Sequence, residues 1–237
     1  PEGDEVEVKP IGIGGGIPCP VVFEREHIRV GLTLRKGENC PQARVWIKSN
    51  ALMAAGHRTC WNAALSLLHQ TGFVQSYNTV SRVDVCVDLV GEDVGPFFDA
   101  YMQKRIICRA NKFSNEGENH ALNYFRLGKG DCLVRFYDKL GEATKSPEKL
   151  AIVCDTRWGG VIPEKAIRVE FQVRREKLKE IPSVSISSVE DLFEELPALC
   201  EYLTDDWCRI HDEEKNSNSA RDNKLSDLWV KVQKAFA

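Results

Sequence analysis

Several stretches of the chain alternate apolar and polar residues, which is the pattern of a β-strand with one buried face. Successive side chains of a strand point to opposite sides of the sheet, so residues two apart share a face. In residues 80–90 (VSRVDVCVDLV), aliphatic side chains occupy every second position. The opposite face carries Arg82, Asp84, Cys86 and Asp88. This stretch therefore predicts a strand with one aliphatic and one charged face.

A second alternating stretch, residues 132–139 (CLVRFYDK), places Arg135, Tyr137 and Lys139 on one face. Two cations beside a phenol would lower the pKa of Tyr137 and could hold a phosphate next to it. This arrangement predicts a tyrosine nucleophile that acts on DNA or RNA. The alternative is an ordinary strand tyrosine, half-buried against a neighbouring strand with its hydroxyl in water.

The two aspartates of the first stretch favour a metal site. Carboxylates on one strand face are costly unless a cation lies between them, and oxygen ligands of this kind suit Mg²⁺ or Mn²⁺. The alternative is a solvated face on which Arg82 neutralises Asp84. A third stretch, residues 166–174 (AIRVEFQVR), repeats the pattern and has its own alternative, salt bridges between strands. Its outward residues are Arg168, Glu170, Gln172 and Arg174.

The remaining pattern predicts the elements around these strands. A hairpin is expected from residues 121–127 and 132–139 across a turn at 128–131, and further strands at 27–34 and 43–48. Helices are expected at 49–70, 93–110, 188–203 and from 225 to 236. Residues 1–20, 111–119 and 153–165 are expected to form loops. Together these elements predict an α+β fold, with helices covering one face of a mainly antiparallel central sheet and a catalytic, DNA-binding face left open.

Composition narrows the class of protein. The 237 residues carry a net charge of −3, yet residues 157–179 hold seven cations and three acids, whereas residues 187–214 hold ten acids and one arginine. This uneven distribution of charge along the chain allows one basic surface that faces phosphates. Nine cysteines without CxxC spacing predict reduced thiols in a cytoplasmic protein rather than a zinc site or a disulfide framework. No apolar run has the length of a membrane span, so no membrane association is expected.

At these residues the chain resembles the replication initiation factor family of rolling-circle plasmids and filamentous phages, to which some conjugative relaxases also belong. The resemblance lies in SRVDVCVDLV (81–90), NYFRLGKGDCLVRFYDKLGE (123–142) and IRVEFQVR (167–174), in that order. Residues 46–56 and 221–229 agree more loosely. The most specific part is the string R-x-Y-D-K-x-x-E. One departure is the hairpin turn, GKGD, in which the family usually has a serine after the turn glycine.

The resemblance implies a Rep-type endonuclease that nicks one DNA strand through a tyrosine, stays joined to the 5′ phosphate and later rejoins the strand. Carried over to this sequence, Tyr137 is the nucleophile. Arg135 and Lys139, which the strand pattern places beside it, are expected to assist it. The acidic residues expected to hold Mg²⁺ or Mn²⁺ are Asp84, Asp88, Glu170 and Glu142. The cations expected to contact DNA are Arg82, Arg126, Lys129, Arg168 and Arg174.

Partners and a domain layout complete the expectation, the layout being read from composition along the chain. The expected partners are origin DNA (single-stranded or hairpin), a helicase, a host polymerase and a second copy of the chain. The expected layout is a flexible segment at 1–20, a catalytic nicking domain at 21–211, and a polar linker with an amphipathic helix at 212–237. Two other functions remain open: a DNA-binding initiator that recruits partners without catalysis, and a metal-dependent nuclease that activates water.

Overall fold

A computed structural model describes residues 6–9, 19–33, 40–213 and 224–237. The chain divides into two compact units, residues 1–77 and 78–237. The sequence reading makes no division at this point. Much of the segment at 1–20, and most of the linker within 212–237, lie outside the described residues.

The first unit is a four-stranded antiparallel sheet packed on helices. Its strands, in the order β1-β2-β3-β4, are β1 (Glu7–Lys9), β2 (Val21–Arg25), β3 (Ile28–Leu32) and β4 (Ala43–Ile47). Its helices are α1 (Ser49–Ala55) and α2 (His57–Gln70). The predicted single helix over 49–70 is broken at Gly56, which has φ of 77°, a value that glycine adopts at little cost. The expected loop at 1–20 contains β1.

The second unit is built on a five-stranded antiparallel sheet in the order β5-β10-β9-β8-β7. Its strands are β5 (Arg82–Val90), β7 (Phe113–Glu118), β8 (Ala121–Lys129), β9 (Cys132–Asp138) and β10 (Ala166–Arg174). The three alternating stretches are thus confirmed as strands, and so is the hairpin β8–β9. Its turn is shorter than the expected 128–131, because β8 extends to Lys129, which pairs with Cys132. The loop expected over 111–119 is wrong, because β7 pairs along β8 there.

Helices and a small sheet complete this unit. The helices are α3 (Gly95–Met102), α4 (Lys139–Ala143), α5 (Pro147–Arg157), α6 (Arg175–Glu180), α7 (Val189–Glu201), a π-helical segment (Tyr202–Trp207) and α8 (Asp227–Phe236). The small sheet pairs β6 (Ile106–Cys108) with β11 (Cys208–Ile210). No described helix has the length and apolar character needed to cross a membrane. The α+β fold is therefore confirmed.

The aliphatic face of the five-stranded sheet forms the core. Phe125, Phe136 and Phe171 from the sheet, together with Phe97 of α3 and Trp229 of α8, have no exposed surface. Burial of aromatic side chains of this size is the largest favourable contribution to folding. The terminal helix α8 thus packs on the core of this unit. The opposite face of the sheet carries the polar and charged residues of the candidate site.

Two predicted boundaries are wrong for local reasons. The helix expected over 93–110 ends at Met102, and Lys104 then takes a left-handed φ of 55°, so the isoleucines that follow enter strand β6. The irregular stretch expected over 153–165 instead begins inside α5, whose N-cap Ser146 accepts a hydrogen bond from the Lys149 backbone. By contrast, the start expected at residue 188 is confirmed, since Ser188 is the N-cap of α7 and forms a capping box with Asp191.

Candidate active site

Strand register brings the charged faces of the three predicted strands into one surface, the polar face. Strand β10 lies at its centre, where Arg168 is opposite Asp88 of β5 and Tyr137 of β9. Glu170 is likewise opposite Arg135 of β9. Directly opposite residues of antiparallel strands have Cβ atoms about 4.5–5.5 Å apart. The sheet therefore brings together residues that are more than thirty positions apart in sequence.

A continuous chain of hydrogen bonds runs through Tyr137. Its hydroxyl donates to Oε2 of Glu170 at 2.9 Å. The other carboxylate oxygen, Oε1, accepts from Nη1 of Arg135 at 2.5 Å, and Nη2 of Arg135 donates to Oε1 of Gln172 at 2.7 Å. A nucleophile bonded to a base, with the base held by a third group, is the arrangement that activates a nucleophile.

The Tyr137 hydroxyl is in a different electrostatic state from the one predicted. Burial raises its pKa, and the Glu170 carboxylate raises it further, while Arg168 acts in the opposite direction. The predicted fall in pKa from Arg135 and Lys139 is therefore wrong. Arg135 forms an ion pair with Glu170, and Lys139 forms one with Glu142, so neither cation stabilises the phenolate of Tyr137. At neutral pH the phenol is protonated, so attack by Tyr137 requires a proton acceptor, and Glu170 is already bonded to that proton.

Lys139 does not continue the strand face on which it was predicted. Strand β9 ends at Asp138, and Lys139 begins α4 with a side chain that is only 1% exposed. Its Nζ donates to Oε2 of Glu142 at 2.5 Å, and Glu142 also forms an ion pair with Lys149. Burial lowers the pKa of Lys139, and Arg168 adds to the fall. Lys139 and Glu142 thus hold the helices that follow β9.

The remaining residues of the string R-x-Y-D-K-x-x-E also have local roles. Asp138 caps α4 by accepting a hydrogen bond from the Gly141 backbone at 2.8 Å. A side chain at Gly141 would collide with the Asp138 carboxylate. The string therefore describes a strand that carries Arg135 and Tyr137 and then turns sharply into a capped helix.

Substitution of Glu142 by Gln is expected to lower the free energy of unfolding by about 2 kcal/mol, because it leaves the buried Lys139 ammonium without its carboxylate. This is less than for a fully buried pair, since the Glu142 side chain is 35% exposed. Chemical denaturation measures the change. Lys149→Gln, on the same carboxylate but more exposed than Lys139, is the matched control and should cost less.

This contribution should also depend on pH. Burial opposes ionisation of Glu142, but the hydrogen bonds from Lys139 and Lys149 prevail and hold its pKa below the ordinary value. A lowered folded-state pKa adds stability above the ordinary pKa of about 4.3, and this stability is lost as the pH falls through the folded-state value. The difference between wild type and Glu142→Gln should therefore shrink below about pH 4. A difference that stayed constant into strong acid would contradict the assignment.

The carboxylates predicted as metal ligands are each paired with a cation. Glu170 contacts Arg135 and Glu142 contacts two lysines, as described above. Asp84 forms an ion pair with Arg82, which is the alternative that the sequence left open, and Asp88 holds Arg168 through two hydrogen bonds of 2.5 and 2.8 Å. Within the described residues, no group of three or more ligating side chains could hold a metal ion. With their oxygens held by cations, these carboxylates as arranged do not fit a divalent ion. Whether the protein uses Mg²⁺ or Mn²⁺ is tested by none of these contacts, and the ion stays a prediction.

The predicted DNA-binding cations fall into different surroundings. Arg168 is 3% exposed and held by Asp88, so its guanidinium does not face solvent. Arg174 lies exposed at the end of β10. Lys129 is opposite Cys132, which belongs to the core cluster with Phe125 and Leu127, so Lys129 lies at the end of the aliphatic side of the sheet. Arg126 is opposite Arg135, on the polar face.

Two residues that the structure places beside the Tyr137 series have no assigned role in the sequence interpretation. Gln172 fixes Arg135, and its outward position two residues after Glu170 was the available signal. Tyr124 of β8 lies directly opposite Tyr137, a pairing that the expected turn at 128–131 did not indicate, because the observed turn is two residues shorter. Cys86, opposite Glu170, was placed on the correct face without a function.

No protein-family model matches the chain, and no curated protein sequence matches it. Among solved structures, the chain is similar to a rolling circle replication initiator protein from Geobacillus stearothermophilus. The TM-score is 0.61 with 14% sequence identity, and the match covers 100% of this chain and 83% of that one. Along its whole length, therefore, the chain shares the fold of a rolling circle replication initiator, which confirms the fold expected from the sequence resemblance.

Proposed function

We propose that the chain nicks and rejoins one DNA strand in the manner of a Rep-type initiator or relaxase, serving rolling-circle replication or conjugative transfer. The observation that carries the proposal is the hydrogen-bonded series Tyr137, Glu170 and Arg135 on the polar face. It supplies a nucleophile, a proton acceptor and a group that orients the acceptor. The shared fold of a rolling circle replication initiator supports the same function.

In this mechanism the Tyr137 oxygen attacks a DNA phosphorus while its proton passes to Glu170. A bond forms between the phenolic oxygen and phosphorus, and the bond from phosphorus to the 3′ oxygen breaks. The 3′ oxygen leaves as a hydroxyl after taking a proton from solvent, and the 5′ phosphate stays on Tyr137. Because the phosphotyrosyl bond retains the energy of the broken diester, a free 3′ hydroxyl can reverse the reaction.

Arg135 supports this chemistry by position. Its two donors bind Glu170 and Gln172, so the carboxylate keeps its second oxygen directed at the phenol. A base that is already hydrogen-bonded to the attacking group contributes roughly 10²–10⁴-fold in rate. Glu170 is thus proposed to accept a proton rather than to ligate a metal.

The divalent ion implied by the sequence resemblance remains a separate prediction, and no step above depends on it. Nicking should be assayed in excess chelator and again after addition of Mg²⁺ or Mn²⁺. Loss followed by recovery would support the ion. Unchanged nicking in chelator would show that the reaction requires no divalent ion.

Arg168 and Arg174 make a matched pair for the DNA-binding proposal. Arg168→Glu is expected to lower the free energy of unfolding by about 3–5 kcal/mol, because it leaves Asp88 buried beside a like charge. Arg174→Glu, at an exposed position, should leave stability within about 0.5 kcal/mol and weaken DNA binding at low salt. Thermal unfolding and oligonucleotide titration measure the two effects. Equal losses of stability would contradict this division of roles.

The proposed function is tested by incubating the protein with a library of single-stranded oligonucleotides. Protein–DNA adducts that survive boiling in detergent are recovered, and the retained DNA is sequenced. We expect an enriched sequence that is joined through its 5′ phosphate, with a free 3′ hydroxyl on the released piece. Cleavage without any retained DNA would contradict the tyrosine mechanism, and DNA binding without cleavage would indicate a binding-only initiator.

A further inference from the structure

Two arginines lie side by side in the middle of the polar face. Arg126 of β8 is directly opposite Arg135 of β9. Like charges in directly opposite positions of a sheet are destabilising. Each of the two guanidinium groups would therefore be stabilised by a nearby anion. For Arg135 this anion is the Glu170 carboxylate.

Arg126 has no comparable acceptor. In the described part of the chain its guanidinium makes no side-chain hydrogen bond, and its Nε is buried without an acceptor. The residue opposite it on the other neighbouring strand, β7, is the neutral Ser114. The side chain as a whole is only partly buried, and Nε is the one guanidinium nitrogen of Arg126 that is both buried and without an acceptor. The rest of the guanidinium is therefore open to a partner outside the protein, and a group with anionic oxygens would balance its charge.

We infer that Arg126 binds the phosphate that Tyr137 attacks, an assignment that rests on the proposed function. Tyr137 lies two residues along β9 from Arg135, and so diagonally across from Arg126. Diagonal neighbours of this kind are about 7–8 Å apart, within reach of an arginine side chain. A phosphodiester can accept two parallel hydrogen bonds from a guanidinium. Bound in this way, it lies beside the Tyr137 hydroxyl and also separates the two arginines.

The other cations near this face are less suited to the task. Arg168 is fixed by Asp88, and Arg82 is fixed by Asp84. Lys129, on the same strand as Arg126, is exposed but lies on the aliphatic side of the sheet. The sequence predicted a DNA contact for Lys129 as well, but its place on the aliphatic side of the sheet removes it from the polar face. Lys129 is therefore a control of equal charge on the same strand, placed away from Tyr137.

The test measures DNA binding in protein that carries Tyr137→Phe, so that no cleavage interferes. A fluorescent single-stranded oligonucleotide is titrated at several salt concentrations with this parent and with the added changes Arg126→Gln or Lys129→Gln. Arg126→Gln is expected to weaken binding about tenfold and to reduce the slope of log affinity against log salt by about 0.7, the value for one phosphate contact on a single strand. Lys129→Gln should change neither quantity appreciably.

Stability separates a binding role from a structural one. Because Arg126→Gln removes a like-charge neighbour of Arg135, the melting temperature should stay the same or rise. Unchanged DNA binding in Arg126→Gln, an equal loss in Lys129→Gln, or a fall in melting temperature would each overturn the inference. Since the parent cannot react through Tyr137, the phosphate site and the tyrosine mechanism can fail separately. A missing adduct in the wild type, with the Arg126 effect intact, would remove only the mechanism.

Discussion

Tyr137→Phe is expected to abolish the covalent adduct, nicking and strand rejoining together. The substitution removes the attacking oxygen and keeps the ring in place. Stability should fall by only about 1 kcal/mol, because Glu170 keeps its bond to Arg135 when the phenol is lost. A labelled oligonucleotide carrying the sequence that the adducts select, run on a denaturing gel, measures all three activities.

Tyr124→Phe is the matched control for this change. Tyr124 lies opposite Tyr137 on the neighbouring strand and is the nearest alternative phenol in the register. The Tyr124→Phe protein should still form the covalent adduct. A Tyr137→Phe protein that still cuts DNA without an adduct would indicate a nuclease that activates water, whereas a wild-type protein that never cuts would indicate a DNA-binding initiator.

The second large effect is expected for Glu170→Gln, which should slow nicking about 10²–10⁴-fold under single-turnover conditions. The amide can still accept a hydrogen bond from the phenol, but it cannot take its proton. Burial, the largest cause of the raised pKa of Tyr137, persists in this variant, so the phenol has little tendency to ionise without a proton acceptor. DNA affinity should change much less than the rate, since proton transfer occurs only as the transition state forms.

Glu116→Gln controls for the loss of a carboxylate on the same face. Glu116 of β7 is opposite Tyr124, one strand further from Tyr137. It should leave the rate of nicking unchanged. If Glu170→Gln nicked at the wild-type rate, Glu170 would not be the base. If Glu170→Gln lost DNA binding as steeply as rate, it would act through the fold of the face.

The pattern of the sequence was sufficient to predict the scaffold of the site. Strict alternation in residues 80–90, 132–139 and 166–174 predicted three strands, and β-strand geometry alone determined which side chains would share a face. Tyr137, Arg135 and Glu170 were all placed on that face. This information is local, because it depends on side chains two positions apart.

The pairing of charges could not be predicted in the same way. Asp88 and Arg168 are 80 positions apart, and they meet only because β10 pairs with β5 in one particular register. Without the register, an acid on a strand face fits a metal ligand as well as it fits an ion pair. Lys139 shows a second limit of the alternating pattern. Strand β9 ends at Asp138, which caps α4, so Lys139 lies in the helix and not on the strand face that the pattern predicted.

Identification of the residue that carries DNA decides whether Tyr137 is the nucleophile. Wild-type protein is reacted with the selected oligonucleotide, digested with nuclease and protease, and analysed by mass spectrometry. We predict a single modified peptide with the phosphate of the 5′ nucleotide on Tyr137. A nucleotide on Tyr124, on another tyrosine, or on no residue of a protein that nonetheless nicks DNA would contradict the account.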